Sequence, residues 1–366
     1  MSTICYLADA SNPHTIKWCN YFKSKGYDVN VISLNEGSIE GVKVYNFGFN
    51  VKELKNASPF RKVKYISVIG EIKKIINEIK PDILHAHYAS SYGLIGSLLN
   101  YKPYVISVWG TDIYDFPNGG FIQKLIIKHN LKKADYIFST SKDMARETNK
   151  YTDKKIYITP FGIDIDVFKS MKIEENTTIE KPFIIGTIKT LEKKYGINYL
   201  IRAFKLVKDQ YKDKKIVLKI AGSGSQMDNL LNLTKELGID KDVDFLGRLP
   251  LDEVSKTFNT FDIAVFPSLR ESFGVAALEA QACEIPAIVT NVGGHPEVVL
   301  NNKSGIIVES ENEEQLKDAI IKLLENQDLR NNMGKTGRKF VKENYEVNLN
   351  FNDIEKIYEN IINKNI

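Results

Sequence analysis

The stretch "DIAVFPSLRESFGVAALEAQACEIPAIVTN", residues 262–291, contains a complete strand–helix–strand pattern. The apolar run that ends near Phe266 predicts a buried strand, a helix is expected to begin near Phe273, and a second apolar run follows at 286–291. Two strands joined by a helix lie parallel in one sheet with a right-handed crossover. The stretch therefore predicts an α/β fold of the doubly wound class.

The same alternation occurs in two separate runs along the chain. In the first, the predicted strands are "STICYLAD", "DVNVISL", "VKVYNF", "DILHAHY", "YVISVWG" and "YIFSTS", and in the second they are "FIIGTI", "IVLKIAG", "VDFLG", "DIAVFPS", "PAIVTN" and "SGIIV". Between the two runs, residues 159–182 are polar and are predicted to form a linker. We expect Rossmann-like domains at 1–165 and 166–347, with a helix at about 348–366 packed back on the first. Their ligands should bind in the interdomain cleft, at the carboxyl ends of the strands.

Composition excludes several classes of protein. The chain has 366 residues, of which 43% are hydrophobic and 26% charged, as in soluble globular proteins. Its three cysteines have no metal-binding spacing and form no disulfide framework, which favours a reducing cytoplasm. The first residues read as a strand rather than as a signal peptide, and no apolar run approaches the roughly 18 residues that cross a bilayer.

Positive charge is concentrated in the first 160 residues, which carry 22 Lys and Arg against 14 Asp and Glu, a net charge of +8. The remainder carries 28 against 32, a net charge of −4. Much of the excess lies in Val51–Lys80 and Phe121–Lys133. The apolar residues near helical spacing in the second segment are Phe121, Leu125, Ile126 and Leu131. This helix either faces the core with a solvated basic side or lies on an anionic membrane. Nucleic acid is not an expected partner, because aromatic interleaving and binding motifs are lacking.

Glu271 and Glu279 flank the start of the helix predicted in the opening stretch. One reading is that Glu271 caps the helix and Glu279 pairs with a lysine. The other is that both carboxylates accept hydrogen bonds from the vicinal hydroxyls of a sugar or ribose, while the helix N-terminus binds an anion. Spacing alone leaves both readings open.

The segment "ESFGVAALEA" together with "GGHPEVV" resembles the retaining nucleotide-sugar glycosyltransferases of the E-x7-E type, family 4 or group 1, which have the GT-B fold. The resemblance covers nearly the whole chain. "TPFGIDIDVF", "IAGSGSQMDNL" and "VDFLGRLPLDEV" also occur in the order and approximate spacing of that family.

The resemblance implies catalytic roles for Glu271, Lys189 and Lys194. Glu271 would hold hydroxyls of the donor sugar, and the two lysines would grip its diphosphate. Lys189 stands where the family usually has arginine, and a lysine cannot make arginine's bidentate contact. A solvated loop charge is the alternative for Lys194.

The resemblance also implies the remaining donor contacts. Glu279 would bind the ribose hydroxyls of the nucleotide. The other expected donor-binding residues are Phe273, Gly274, Val275, Gly222, Gly224 and Arg248. The two glycines in "AGSGS" would let the chain turn beside the nucleotide, although this motif alone is a weak dinucleotide fingerprint.

Four residues after strands of the first domain are expected to line the cleft on the acceptor side. They are His14, His87, Trp109 and Asp112. His14 stands where the family usually has a glycine-rich loop, and an ordinary turn residue is the alternative. We expect His85 and His87 to point to opposite sides of their sheet, with one of them buried and hydrogen-bonded. His295 is expected to be a loop residue and His129 a surface residue. Many relatives have histidine where Trp109 stands, and Asp112 is a candidate for orienting a hydroxyl.

The chemistry that the resemblance implies is transfer with retention by front-face displacement. The leaving phosphate accepts the acceptor's proton, so no protein base is required, and preorganised cations stabilise the leaving group. No Asp-x-Asp pair follows a strand, so we expect a metal-independent enzyme without a cofactor. The donor would be a UDP-sugar or GDP-sugar, and the acceptor a glycan, a lipid-linked molecule or a small molecule, at the inner face of the membrane. The alternatives are a nucleotide-sugar 2-epimerase and a non-catalytic partner subunit.

Overall fold

The computed structural model describes residues 1–49, 67–171 and 181–364. The chain divides into two compact units, Met1–Phe161 with Asn350–Ile366, and Gly162–Leu349. The boundary predicted after residue 165 lies four residues from this division. Part of the predicted linker (159–182) and much of the basic segment Val51–Lys80 fall outside the described residues.

The first unit contains a seven-stranded sheet in the order β3-β2-β1-β4-β5-β6-β7, and all of its neighbouring strands are parallel. The strands are β1 Thr3–Leu7, β2 Asp28–Ser33, β3 Lys43–Asn46, β4 Ile83–His87, β5 Tyr104–Val108, β6 Tyr136–Ser139 and β7 Ile156–Ile158. The apolar pattern predicts the first six. The seventh is only three residues long and partly exposed, so its sequence has no buried apolar run.

Helices of the first unit connect these strands and cover the sheet. The described helices are α1 Pro13–Ser24, α2 Ile69–Ile79, α3 Ser91–Leu99, α4 Thr111–Tyr114, α5 Phe121–Lys133 and α6 Lys142–Thr148. Asn12 caps α1 by accepting a hydrogen bond from the backbone N–H of His14 at 2.8 Å. The central strand β4 is buried at every residue, because helices on both sides cover a parallel sheet.

The second unit contains a six-stranded parallel sheet in the order β10-β9-β8-β11-β12-β13. The strands are β8 Phe183–Ile188, β9 Ile216–Ala221, β10 Val243–Gly247, β11 Ile263–Phe266, β12 Ala287–Thr290 and β13 Gly305–Val308. All six are predicted by the sequence. Two Rossmann-like units of this kind make up the GT-B fold, and the predicted fold class is therefore confirmed.

The helices of the second unit are of very different lengths. They are α7 Ile197–Gln210, α8 Met227–Glu236, α9 Leu251–Phe258, α10 Val275–Ala282, α11 His295–Val298, α12 Glu313–Glu325 and α13 Gln327–Asn344. Helix α10 begins at Val275, two residues later than the sequence predicts. Gly274 has a φ of +111° directly before it, so Phe273 belongs to the loop.

The last helix, α14 Val347–Asn363, contributes its residues from Asn350 onward to the first unit. There the ring of Phe351 lies 5.3 Å from that of Trp18, centroid to centroid. Tyr358 is fully buried and its hydroxyl contacts Nδ1 of His85. The end of the chain therefore completes the core of the unit that its beginning forms.

Each sheet has one point at which the strand order reverses. In the first sheet the reversal lies between β1 and β4, and in the second it lies between β8 and β11. Loops that leave such a pair of strands diverge to opposite sides and leave a crevice at the carboxyl edge. The loops after β8 and β11 are therefore the ones to compare with the predicted donor site.

Candidate functional site

The loops after β8 and β11 bring Lys189 and Glu271 together. Lys189 Nζ lies 2.5 Å from Glu271 Oε2, although the two residues are 82 positions apart in the chain. The side chains are only 14% and 8% exposed, respectively. A buried charge of either sign is unfavourable without a partner, so each side chain stabilises the charged form of the other.

The pKa directions agree with an ionised pair. Burial by itself raises the pKa of Glu271, but the Lys189 ammonium more than offsets this and the pKa ends below its ordinary value. Burial likewise lowers the pKa of Lys189, and the Glu271 carboxylate reverses that effect, so the lysine pKa ends above its usual value. The backbone N–H of Phe273 and the hydroxyl of Ser268 also donate to Glu271. Glu271 is thus a preorganised carboxylate at the switch point of the sheet.

His295 is buried beside this pair, with 1% of its surface exposed, and the expectation of an ordinary loop residue is wrong. Its Nδ1 lies 3.2 Å from the carbonyl oxygen of Thr290, and its Nε2 lies 3.7 Å from Glu271 Oε2. A carbonyl oxygen can only accept a hydrogen bond, so Nδ1 carries a proton and donates it to Thr290 O. Burial lowers the pKa of His295 to about 4, and the ring is neutral at physiological pH.

The two sequence motifs meet because glycines 293 and 294 pack against the backbone after β11. The N–H of Gly294 donates to the carbonyl oxygen of Glu271 at 3.1 Å. Gly293 has a φ of +53°, and a Cβ there would lie 1.7 Å from the same oxygen. At Gly294 a Cβ would lie 2.6 Å from the Cα of Phe273. The Gly-Gly pair is therefore required for the loop that holds Glu271 in place.

A cavity of about 480 Å³ lies within the second unit. Of the residues with a predicted role, those that line it are Lys189, Gly222, Arg248, Val275 and Glu279. The structure thus brings together one member of the lysine pair, the second glutamate and the start of α10. Glu271 contacts the cavity's lysine from the buried side.

Gly224, Lys194 and Phe273 do not line this cavity, but their contacts position the loops that form it. A Cβ on Gly222 would lie 1.9 Å from Lys189 O, and one on Gly224 would lie 2.3 Å from Leu191 O, so both glycines let the loops after β8 and β9 touch. The carbonyl oxygen of Lys194 accepts a hydrogen bond from Leu269 N at 2.8 Å, which fastens the loop after β8 to the loop after β11. Phe273 is 2% exposed and supports the helix start from below.

One site residue that the sequence analysis missed is Tyr195. The Nζ atoms of Lys189 and Lys194 lie 4.4 Å and 5.4 Å, respectively, from the centroid of its ring. An aromatic face at this distance attracts an ammonium group and restricts its position. The signal in the sequence is the aromatic residue directly after the second lysine in "EKKYG".

In the first unit, His14, His87 and Trp109 form a contiguous aromatic cluster at the carboxyl edge of the sheet. The rings of His87 and Trp109 are 4.3 Å apart, and those of His14 and Trp109 are 5.9 Å apart. The His14 ring stacks on Phe161 at 3.8 Å. Burial lowers the pKa of His14 to about 3 and that of His87 well below its usual value. The cluster is therefore uncharged.

The expectation that His85 and His87 point to opposite sides of the sheet is wrong. Residues two apart in a strand share a face, and the two rings lie 5.0 Å apart. Both side chains are fully buried. His85 bonds to Ser107 Oγ at 2.7 Å, and His87 Nδ1 lies 3.3 Å from Thr15 Oγ1. His129, by contrast, is exposed as predicted.

Asp112 is buried and its oxygens bind backbone groups. They accept hydrogen bonds from the N–H groups of Ala89 (2.7 Å), Gly110 (2.8 Å) and Trp109 (3.2 Å). These contacts tie the loop after β4 to the loop after β5. In this structure the carboxylate holds Trp109 in position.

The described part of the chain contains neither a cluster of metal ligands nor a membrane-spanning helix. Among residues 1–49, 67–171 and 181–364, no group of three or more His, Cys, Asp or Glu side chains is arranged to hold a metal ion. In the same ranges, no helix has both the length and the apolar character needed to span a bilayer.

Comparison with known proteins connects these features to a family. The profile of the family described as Glycosyl transferases group 1 matches residues 169–340, and that described as Glycosyl transferase 4-like matches residues 3–141. The chain is 27% identical to N-acetyl-alpha-D-glucosaminyl L-malate synthase of Bacillus anthracis, over 87% of this chain and 86% of the relative. It is 24% identical to the capsular polysaccharide biosynthesis glycosyltransferase CapM of Staphylococcus aureus, over 93% and 92% of the two chains.

A solved structure shows the same fold over nearly the whole chain. HepE of Anabaena, in complex with UDP-glucose, has a TM-score of 0.81 and 16% identity, and the match covers 98% of this chain and 100% of that one. This likeness shows the fold, and the two family profiles show that the second unit belongs to the Glycosyl transferases group 1 family and the first unit to the Glycosyl transferase 4-like family.

Proposed function

We propose that this protein is a retaining, metal-independent glycosyltransferase that moves a sugar from a nucleoside-diphosphate sugar to a hydroxyl acceptor. The observation that carries the proposal is the buried Lys189–Glu271 pair at the switch point of the second sheet. It adjoins a cavity that also contains Glu279 and the start of α10. The UDP-glucose bound to HepE supports a UDP-sugar as the first donor to test.

The geometry suggests which part of the donor each of these groups would contact. Lys189 is bonded to Glu271 and also lines the cavity, so its ammonium can contact both a sugar-side carboxylate and a diphosphate. The N–H groups at the start of α10 and Lys194 add positive potential for the same diphosphate. Glu279 lines the cavity, and its carboxylate would accept hydrogen bonds from the ribose hydroxyls. The carboxylate of Glu271 would accept hydrogen bonds from hydroxyls of the sugar.

The reaction follows from where charge develops. As the anomeric C–O bond breaks, negative charge collects on the nucleoside diphosphate and positive charge on the sugar ring. Fixed cations beside the diphosphate stabilise that leaving group without reorganisation. The acceptor oxygen forms its bond to the anomeric carbon on the face that the diphosphate leaves, and the departing phosphate oxygen takes the acceptor's proton, so the configuration at the anomeric carbon is retained. This scheme uses neither a protein base nor a metal.

The donor assignment is tested by thermal unfolding with a panel of nucleotide sugars. A donor at 100 times its Kd should stabilise the folded protein by about 2.7 kcal/mol. Replacing Glu271 with alanine should lower kcat/KM by about 10- to 100-fold, since a hydrogen bond to a charged group contributes roughly 1.5–3 kcal/mol. The matched control is Glu253→Ala, which removes an exposed carboxylate on α9. Full activity of the Glu271 variant would contradict the site.

Two further measurements separate the alternatives. A transferase releases free nucleoside diphosphate only when an acceptor is present, whereas a 2-epimerase changes the donor without one. A non-catalytic partner subunit would do neither. Treatment with a chelator should leave transfer unchanged, and a loss that added metal restores would exclude the metal-independent mechanism.

We propose that the acceptor is a lipid-linked or anionic cell-envelope glycan, reached at the inner face of the cell membrane. The support is the net charge of +8 on residues 1–160 and the likeness to a capsular polysaccharide enzyme. In the uncharged cluster, His14 is partly exposed and would contact the acceptor's ring, whereas His87 is fully buried, so the expectation that it lines the cleft is wrong. Transfer to a small soluble acceptor, with no affinity for anionic vesicles at low salt, would overturn this assignment.

A further inference from the structure

Helix α5, Phe121–Lys133, exposes large apolar side chains that its sequence pattern assigns to the core. The residues it buries are Ile127, Asn130 and Leu131. Phe121 is 75% exposed, Ile122 69% and Leu125 48%. Of the two readings of this helix, the one in which Phe121 and Leu125 face the core is therefore wrong. The three side chains form one apolar group over the first turns of the helix, because Leu125 follows Phe121 by four positions and Ile122 by three, and residues at these spacings are neighbours on a helix surface.

Lysines continue this outer face toward the end of the helix. Lys124, Lys128, Lys132 and Lys133 are all exposed. Lys124, Lys128 and Lys132 follow one another at intervals of four residues. They therefore form a row along the helix beside Phe121 and Leu125. Lys154 adds a cation at the helix end, where its Nζ donates to the carbonyl oxygen of Lys132 at 2.7 Å.

Among the described residues, no carboxylate forms an ion pair with these four lysines, and Asp135, just after the helix, pairs with Lys102. Helix α5 contains no Asp or Glu, not even in its first turn, where acidic residues stabilise a helix. The neighbouring α3, Ser91–Leu99, and the 3₁₀ turn Phe116–Gly119 contain no Asp or Glu. Within the described residues, the outer face of α5 thus combines lysines that have no carboxylate partner with exposed apolar side chains.

This combination favours one kind of partner. Nucleic acid would match the lysines but offers nothing for three aliphatic and aromatic side chains on a convex helix. An anionic bilayer matches both features, because phosphates lie at the level where lysines end and acyl chains begin just below. Helix α5 has 13 residues, about 20 Å at 1.5 Å per residue, and it can lie flat in the interface but cannot cross the bilayer.

We propose that the outer face of α5 docks on an anionic lipid bilayer. Phe121, Ile122 and Leu125 insert between headgroups, and the lysine row contacts lipid phosphates. The inference deepens the proposed membrane location by naming the surface that makes the contact. It does not depend on which donor or acceptor is used.

The test is flotation of the full-length protein with vesicles of equal parts phosphatidylglycerol and phosphatidylcholine, compared with pure phosphatidylcholine. The wild type should partition at least about tenfold more strongly to the anionic vesicles, and 0.5 M salt should weaken this binding because lysine–phosphate attraction is screened. One variant, F121S/I122S/L125S, removes the apolar group. The other, K124Q/K128Q/K132Q, removes the row. Each should lower partitioning about tenfold or more.

Matched controls lie in the second unit. Leu251 is 69% exposed on α9, and Lys212, Lys214 and Lys215 are exposed before β9. L251S and K212Q/K214Q/K215Q should change vesicle binding less than about twofold. The fluorescence emission of a Phe121→Trp variant should shift to the blue on anionic vesicles, and that of a Leu251→Trp variant should not.

Three results would overturn the proposal. They are failure of the wild type to float with anionic vesicles, unchanged binding in either α5 variant, and equal binding to pure phosphatidylcholine. Binding to DNA instead of vesicles also counts against it. The thermal shift given by a soluble nucleotide sugar should be the same in wild type and α5 variants. A missing shift in all of them would contradict the proposed transferase function and leave the docking result standing.

Discussion

At the residue scale, the side chain of Glu271 is defined by what surrounds it. Lys189, Ser268 and the N–H of Phe273 all contact its carboxylate, and His295 lies beyond them. Of these partners, sequence reasoning names Lys189 and Phe273 as donor ligands. It does not show that the side chains of Lys189 and Glu271 form an ion pair with each other.

The first prediction concerns this pair. Lys189→Met or Glu271→Gln should each lower the free energy of unfolding by about 3 kcal/mol, because removing one partner leaves the other charge buried and unpaired. The comparison is Lys205→Ala, which breaks an exposed pair with Asp209 and should cost no more than about 1 kcal/mol. Urea denaturation measures all three. Equal costs for the buried and the exposed pair would show that Lys189 and Glu271 are solvated.

At the scale of elements, the sequence predicts twelve of the thirteen described strands, because a parallel sheet covered on both faces requires continuous apolar runs. It fails for β7, a short strand at the sheet edge, and for the outward face of α5. It also does not show why "ESFG" and "GGHPE" occur together. The reason is a backbone contact: the loop before α11 packs on the loop before α10 too closely for any Cβ.

The second prediction tests that contact with two glycines of similar backbone conformation. Gly293 has a φ of +53°, and a Cβ added there would clash with the carbonyl oxygen of Glu271. Gly238 has a φ of +65°, and a Cβ added there would meet no atom within 4 Å. Gly238→Ala should cost about 1 kcal/mol from the left-handed backbone alone. Gly293→Ala should cost at least about 2 kcal/mol more, since a buried backbone clash must be relieved.

The two glycine variants also differ in function. Displacing Glu271 in Gly293→Ala should abolish the thermal shift given by a nucleotide sugar, and Gly238→Ala should retain it. Thermal unfolding with and without donor measures both effects. If the two alanine variants behave alike, the packing of the loop before α11 on Glu271 is not what positions the site.

At the scale of the whole molecule, both units bury neutral histidines. His85 and His87 are enclosed in the first unit and His295 in the second. Burial lowers the pKa of His85 to about 3, that of His295 to about 4 and that of His87 well below its ordinary value of 6.5. Above pH 6.5 neither the folded nor the unfolded chain protonates these rings, and they leave stability unchanged there.

The third prediction follows from the sign of these shifts. Below pH 6.5 these histidines become protonated in the unfolded chain but stay neutral in the folded chain. The free energy of unfolding therefore falls as the pH falls. Each histidine contributes about 1.4 kcal/mol per pH unit until its folded pKa is reached. The midpoint of thermal unfolding should therefore drop between pH 7.5 and pH 5.5. His295→Asn should reduce the drop, while the exposed control His129→Gln should not. A midpoint independent of pH would mean that the rings are protonated in the folded protein.

The sequence by itself determined the α/β class, the division into two Rossmann-like units and the family, because apolar periodicity and short motifs are local properties. Only the tertiary structure decided which residues meet: Lys189 with Glu271, His85 with Tyr358, and the Gly-Gly loop with the chain after β11. It also decided that His295 is buried and that Phe121 is exposed. The physical reason is that burial and pairing depend on which elements the sheet order places side by side, and the residues of such a contact can be far apart in the chain.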